Sequence, residues 1–104
     1  MATSFPSGGG FILVDFYADW CEPCKWALPI IEEVINHFNG EIQLEKINID
    51  HFPDIAKEYM VMSVPTFILF HDKKEIWRIR GFDTAPVMIR KIEQAIKEFR
   101  NSDL

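Results

Sequence analysis

The sequence predicts a single α/β domain in which a mixed central β-sheet is flanked by helices. Residues 11–17 (FILVDFY) and 66–70 (TFILF) are apolar at nearly every position, which is typical of strands covered on both faces. Apolar residues also recur at helical spacing over 30–38 and over 89–99. At 104 residues, the chain has room for one domain of this kind.

Shorter patterns predict the other elements. These are a strand over 42–49, a short helix over 53–59, a strand over 76–80 and a last helix over 84–99. A polar turn at 72–74 lies between two of the strands and predicts a hairpin. Hairpin strands are antiparallel, so the sheet should contain both strand directions.

The first ten residues differ from the rest in composition. Pro6 and the glycines at 8–10 would lose much entropy on ordering, so we expect a flexible lead-in over 1–10 and a domain over 11–104. The lead-in has neither the basic nor the apolar region of a secretory signal, and we therefore expect a cytoplasmic protein. In that reducing compartment, a Cys-x-x-Cys pair indicates redox chemistry or metal binding rather than a permanent crosslink.

Charge and hydropathy exclude several classes of partner. The formal net charge is −5 and Lys and Arg form no cluster, which argues against nucleic acid and against an anionic membrane surface. A bilayer span needs about 20 apolar residues, whereas the longest apolar stretch here is 11–14, so we expect no membrane association. Proteins or small molecules are the expected partners.

Two cysteines, Cys21 and Cys24, lie at the predicted entry to the first long helix. Residues three positions apart lie about one helical turn apart, which is close enough for a disulfide. The unpaired N–H groups and the dipole of a helix N-terminus stabilise a thiolate at the first cysteine. We therefore predict thiol-disulfide exchange with Cys21 as the nucleophile and Cys24 as the resolving thiol.

Two other interpretations of the cysteines stay open, namely half of a metal site and a pair of incidental core residues. A zinc site usually needs four Cys or His ligands, and the histidines at 37, 51 and 71 are neither paired nor near the motif. The residues favour redox chemistry. On this interpretation no metal is needed, and the Cys21–Cys24 disulfide is the only redox group, without a separate cofactor.

The segment WCEPCK, preceded by LVDFYAD and followed by VPTFILF and RGF, resembles the thioredoxin family over about residues 11–99. The resemblance implies a thioredoxin-like fold that reduces protein disulfides, with electrons supplied by a thioredoxin reductase-type donor. Members of the family carry an extra strand and helix before the strand that begins here at Phe11. Ten residues are too few to supply both, so we expect this fold to lack them.

The resemblance also implies a set of site residues. Asp15 matches the buried acid beneath the cysteines, where poor solvation should raise its pKa and let it exchange a proton with Cys24. Lys46 matches the lysine near that acid. For Asp15 the alternative is an exposed aspartate on an edge strand. For Lys46 the alternative is a solvated lysine on a strand. Pro65 matches a cis-proline of the family. For Trp20, the alternative is an aromatic residue buried in the core. The implied substrate-binding rim consists of Trp20, Ile49, Val64, Pro65, Gly81 and Phe82.

Two of the departures from the family bear on the redox pair and on the edge of the sheet. The usual dipeptide between the cysteines is Gly-Pro, whereas Glu22-Pro23 here places a carboxylate that opposes ionisation of Cys21. The missing strand would leave 41–49 as a sheet edge, which invites association with other chains unless it is protected. A short strand at 3–5, another chain, or the polar side chains of Gln43, Glu45 and Lys46 would protect it. We expect a mostly monomeric protein with weak self-association through 41–49.

The favoured functional hypothesis is a protein-disulfide reductase. One alternative is an oxidant or isomerase with the same fold, and another is a non-catalytic binding module that uses the surface around Trp20 and Pro65. The intact cysteine pair, together with Asp15 and Pro65, favours catalysis.

Overall fold

The computed structural model describes residues 5–102. Its elements, in chain order, are β1 (Phe11–Tyr17), α1 (Glu22–Phe38), β2 (Ile42–Asn48), α2 (Pro53–Glu58), β3 (Thr66–His71), β4 (Lys74–Arg80) and α3 (Ala85–Ser102). The strands form one sheet in the order β2-β1-β3-β4. β1 runs parallel to β2 and antiparallel to β3, and β3 pairs with β4 as the predicted hairpin. The prediction of a mixed sheet flanked by helices is confirmed.

β1 is the central strand of the fold. It pairs with β2 on one side and with β3 on the other. Its side chains alternate between two cores, because Leu13 packs among residues of α1 and α3 while Val14 and Phe16 pack on the opposite face. A strand covered in this way must be apolar at almost every position, which explains the sequence FILVDFY.

The helices cover the sheet with apolar stripes. In α1, the buried residues Ala27, Ile31 and Val34 recur at helical spacing, and in α3 Met88 and Ile92 do the same. This packing fixes α1 along the sheet and, with it, the position of the cysteines at its start. Within the described part of the chain, no helix is both long enough and apolar enough to cross a membrane.

Residues 5–10 pack against the domain, which differs from the predicted flexible lead-in. Phe5 is buried, and its ring centroid lies 6.1, 5.4 and 5.7 Å from those of Phe16, Tyr59 and Phe70. The composition of residues 1–10 indicates the entropy that the glycines lose on ordering. It does not reveal that burial of the Phe5 ring offsets this loss. Residues 1–4 lie outside the described residues, and the domain boundary after residue 10 stays a prediction.

Polar contacts hold the remainder of this segment. The backbone N–H and the hydroxyl of Ser7 donate to Oε1 of Glu45 at 3.0 and 2.9 Å. The N–H of Gly10 donates to Oδ1 of Asp72 at 2.7 Å. These hydrogen bonds tie the segment to β2 and to the turn between β3 and β4.

β2 forms an edge of the sheet in the part of the chain that the structure describes. From residue 5 onward, no strand precedes β1. Phe5 belongs to no strand, and the rest of the short strand considered at 3–5 lies outside the described residues. The weak self-association through 41–49 stays a prediction.

Phe5→Ala should lower the free energy of unfolding by about 3 kcal/mol, because it removes a buried aromatic side chain that contacts three rings. Equilibrium unfolding of the oxidised protein in urea measures this change. Phe52→Ala is the matched control, since Phe52 is half exposed, and it should cost less than about 1 kcal/mol. Equally small losses for the two variants would contradict a packed segment at 5–10.

Candidate active site

Cys21 and Cys24 form a disulfide at the start of α1, with their Cα atoms 5.3 Å apart. Cys21 is the N-cap of the helix, and its Sγ accepts a hydrogen bond from the N–H of Cys24 at 3.2 Å. Pro23 lies in the first turn, where its missing N–H leaves no helical carbonyl without a donor. The sulfur of Cys21 therefore lies where free N–H groups and the helix dipole favour negative charge.

The loop before β3 places its backbone beside Cys21. The carbonyl oxygen of Val64 lies 3.6 Å from Sγ of Cys21, and the Val64–Pro65 peptide bond is cis, as the resemblance implied. The N–H of Gly81 donates to the carbonyl oxygen of Pro65 at 2.7 Å. Gly81 has a φ of 83°, a left-handed conformation that favours glycine. The end of β4 thus supports the loop that faces the disulfide.

Apolar side chains adjoin the disulfide, although not every predicted rim residue does. Ile49 packs against the buried cluster around the two cysteines. Trp20 is 66% exposed and its indole N–H donates to Oδ2 of Asp50 at 2.9 Å, which excludes the core-aromatic alternative. Phe82 packs instead against the main core formed with α1 and α3. Its part in substrate binding stays a prediction.

Asp15 lies in β1 and is only 2% exposed. Burial raises the pKa of its carboxyl group to about 6, and the positive charge of Lys46 opposes part of this rise. Oδ1 of Asp15 has no hydrogen-bond partner among the described residues. The side chain lines a cavity of about 340 Å³ together with Cys24 and Leu28. The edge-strand alternative is therefore excluded, and the acid shares a cavity with the second cysteine.

Lys46 fits both interpretations, a lysine near the buried acid and a solvated lysine on a strand. It is opposite Asp15 in the register of β1 and β2, and it lines the same cavity. Its side chain is nevertheless exposed, and its ammonium group lies 4.8 Å from the centroid of the Tyr17 ring. Lys46 is thus solvated and still close enough to lower the pKa of Asp15.

An ion pair that the sequence analysis missed spans the first turn of α1. Oε2 of Glu22 and Nζ of Lys25 lie 3.1 Å apart, and both side chains are largely exposed. Lys25 also lines the cavity that contains Asp15 and Cys24. Opposite charges at i and i+3 in a helix are the sequence signal that indicates such a pair. The ammonium group of Lys25 partly offsets the charge that Glu22 places beside Cys21.

The positions of the histidines bear on the metal-site alternative. His37 lies 3.2 Å from a carboxylate oxygen of Glu93, and the ring of His71 lies against those of Phe11 and Phe99. Within residues 5–102, no three or more His, Cys, Asp or Glu side chains are grouped to hold a metal ion. In the described chain, the side chains near the cysteines therefore do not form a set of metal ligands.

Asp15→Asn should stabilise the oxidised protein near neutral pH. The pKa of Asp15 rises from 3.8 to about 6 on folding, so between these values the unfolded state binds fewer protons. The stability contributed by the buried neutral acid is complete below pH 4 and is lost as pH rises through 6. This loss is about 2 to 3 kcal/mol, and the Asn variant should not show it.

Urea unfolding of wild type and Asp15→Asn between pH 4 and pH 8 measures the difference. Glu32→Gln, on the exposed side of α1, is the control and should keep the wild-type pH dependence. Parallel profiles for wild type and Asp15→Asn would show that Asp15 does not titrate as its burial requires.

Comparisons with known proteins agree with this geometry. A family model described as Thioredoxin matches residues 7–94. Thioredoxin Y1, chloroplastic, of Arabidopsis thaliana is 42% identical over 86 residues, which are 83% of this chain and 50% of that protein. A thioredoxin of Chlamydia caviae is 41% identical over 85 residues, which are 82% of each chain. The oxidised mitochondrial thioredoxin 3 of Saccharomyces cerevisiae has a similar structure, with a TM-score of 0.71, 34% identity and coverage of 86% of this chain and 79% of that one.

The chain therefore spans about half the length of the plant relative and most of the bacterial one. The disulfide at a helix start, the buried acid near it and the cis-proline loop beside it are the features that the resemblance implied. On sequence and structure together, the protein belongs to the thioredoxin family.

Proposed function

We propose that this protein reduces disulfide bonds in other proteins by dithiol-disulfide exchange. One observation carries the proposal: the sulfur of Cys21 faces a helix N–H, whereas Cys24 lines a cavity together with the buried Asp15. The two sulfurs therefore have different surroundings, as an attacking thiol and a resolving thiol need.

In the first step, the Cys21 thiolate of the reduced protein attacks one sulfur of a substrate disulfide. A new S–S bond joins Cys21 to the substrate, the substrate's own S–S bond breaks, and its other sulfur leaves as a thiolate that takes a proton from water. The N–H of Cys24 and the dipole of α1 stabilise the attacking thiolate. The substrate segment is then held next to the backbone of Val64.

In the second step, Sγ of Cys24 attacks Sγ of Cys21. The mixed disulfide breaks, the substrate's second sulfur leaves as a thiolate that takes a proton from water, and the Cys21–Cys24 disulfide forms. Cys24 must lose a proton for this attack, and Asp15 accepts it, because a carboxyl with a pKa of about 6 is mostly ionised at pH 7. The cavity of about 340 Å³ has room for water to carry the proton. Two electrons and two protons pass to the substrate in total.

Residues around the disulfide bind the substrate, and a second protein regenerates the two thiols. Trp20, Ile49, Val64, Pro65 and Gly81 form the surface on which the substrate docks. Each cycle leaves the protein oxidised, so a thioredoxin reductase-type protein is the proposed donor of the two electrons that restore the thiols. The cytoplasmic location stays a prediction.

Single-cysteine variants test the assigned roles, with insulin as the disulfide substrate and dithiothreitol as the electron donor. Wild type should accelerate insulin reduction, and Cys21→Ser and Cys24→Ser should each lower turnover by at least about 100-fold. Reduced Cys24→Ser should form a covalent adduct with insulin through Cys21, which mass spectrometry detects, because the resolving thiol is absent.

Cys21→Ser is the matched control and should form no comparable adduct. An adduct at Cys24 in that variant, with none at Cys21 in the other, would reverse the assignment. Failure of wild type to accelerate insulin reduction would instead favour the non-catalytic binding module.

A further inference from the structure

β4 carries two arginines near its end, Arg78 and Arg80. One residue separates them, so their side chains lie on the same face of the sheet. Nε of Arg78 lies 2.7 Å from Oε2 of Glu75, and its Nη2 donates to the carbonyl oxygen of Tyr59 at 2.8 Å. Arg78 therefore joins β4 to the end of α2, and its charge is neutralised within the fold.

Arg80 has different surroundings. It is exposed, and none of the ion pairs within residues 5–102 includes it. The nearest carboxylates in the sequence are already engaged. Glu75 binds Arg78, and Oδ1 of Asp83 accepts the N–H of the next residue at 2.8 Å. An exposed arginine is ordinary on a protein surface, so its location decides what it can bind.

Arg80 lies beside the loop that faces the disulfide. It is the register partner of Thr66 in β3, whose hydroxyl donates to the carbonyl oxygen of Ser63 at 2.8 Å. The next residue, Gly81, donates its N–H to the carbonyl oxygen of Pro65 at 2.7 Å. Two strand residues span about 7 Å, so Arg80 is that much nearer than its neighbouring arginine to the edge of the sheet where β3 begins.

This loop brings the positive charge close to the reacting sulfur. Pro65 follows Val64, whose carbonyl oxygen lies 3.6 Å from Sγ of Cys21. A substrate segment that lies along Val64 with its disulfide at Cys21 therefore has residues within reach of the Arg80 guanidinium.

We propose that Arg80 binds an acidic side chain of the substrate beside the disulfide under attack and so favours disulfides flanked by Asp or Glu. This inference rests on the proposed function and adds a substrate class to it. A guanidinium is planar, donates two parallel hydrogen bonds to a carboxylate and stays charged at physiological pH. The formal net charge of −5 repels acidic proteins at long range, so the preference concerns only the residues next to the disulfide.

Two short peptides with one internal disulfide test the selection, one with glutamates and one with lysines beside the cysteines. Reduced protein is mixed with each peptide. Chromatography then gives the second-order rate at which the peptide disulfide becomes two thiols while the protein thiols become the Cys21–Cys24 disulfide.

Arg80→Glu should lower the ratio of the glutamate-peptide rate to the lysine-peptide rate about tenfold. The substitution replaces attraction by repulsion for the first peptide and repulsion by attraction for the second, and each exposed charge pair contributes modestly. A ratio of two rates also cancels any effect of the substitution on the reactivity of Cys21 itself. Arg80→Gln, which removes the charge without reversing it, should give an intermediate ratio.

Lys97→Glu is the matched control, because it changes the net charge by the same amount. Lys97 is exposed on α3 and lines a groove with Phe38, at the opposite end of α1 from the cysteines. This variant should change the ratio by less than about twofold. An unchanged ratio in Arg80→Glu would overturn the proposal. Equal falls in Arg80→Glu and Lys97→Glu would also overturn it, by assigning the preference to net charge.

Binding without chemistry separates this proposal from the proposed function. The glutamate peptide with serine in place of both cysteines should shift the guanidinium NMR signal of Arg80 but not that of Arg100, which is paired with Glu41. If this shift occurs and neither disulfide peptide is reduced, binding by Arg80 stands and the reductase function fails. If both peptides are reduced and the Arg80 signal does not shift, the reductase function stands and this proposal is overturned.

Discussion

The burial of β1 on both faces is the constraint on which the rest of the structure depends. Because β1 is parallel to β2, the ends of both strands lie at the same edge of the sheet, and β3, which is antiparallel, begins there. Cys21 follows β1, Ile49 follows β2 and Val64 precedes β3, so all three converge at this edge. α1 begins at the same place and turns its free N–H groups toward the cysteines. The topology of one strand therefore assembles the site from three distant parts of the chain.

One residue at this site breaks a local rule of stability. Asp15 places a carboxyl group in a strand that is otherwise apolar, and its desolvation opposes folding at neutral pH. The same desolvation brings its pKa into the range useful for accepting the proton of a thiol. In our proposal, Asp15 exchanges some stability for proton transfer.

The sequence predicted those features of the protein that depend on local patterns. Consecutive apolar residues indicated β1 and β3, and the spacing of Cys21 and Cys24 at a helix start indicated their pairing. The packing of Phe5 depends on Tyr59 and Phe70, which are more than 50 residues away in the chain, so the composition of 1–10 carried no sign of it. The hydrogen bond from Trp20 to Asp50 spans 30 residues and is equally invisible in a local pattern. Contacts of this kind follow from the topology, which places distant segments side by side only after the chain has folded.

In the proposed function Cys21 and Cys24 form a reducing pair, and their reduction potential distinguishes such a pair from an oxidising one. Glu22 lies beside Cys21 and Asp15 lines the cavity of Cys24, so the nearby carboxylates favour the disulfide over the thiolates and lower the potential. Equilibration with a dithiol of known potential, followed by alkylation of the free thiols and mass spectrometry, gives the value. We expect a potential of about −270 mV, as in thioredoxin. A value near about −180 mV, as in protein disulfide isomerase, would contradict it and identify an oxidant or isomerase.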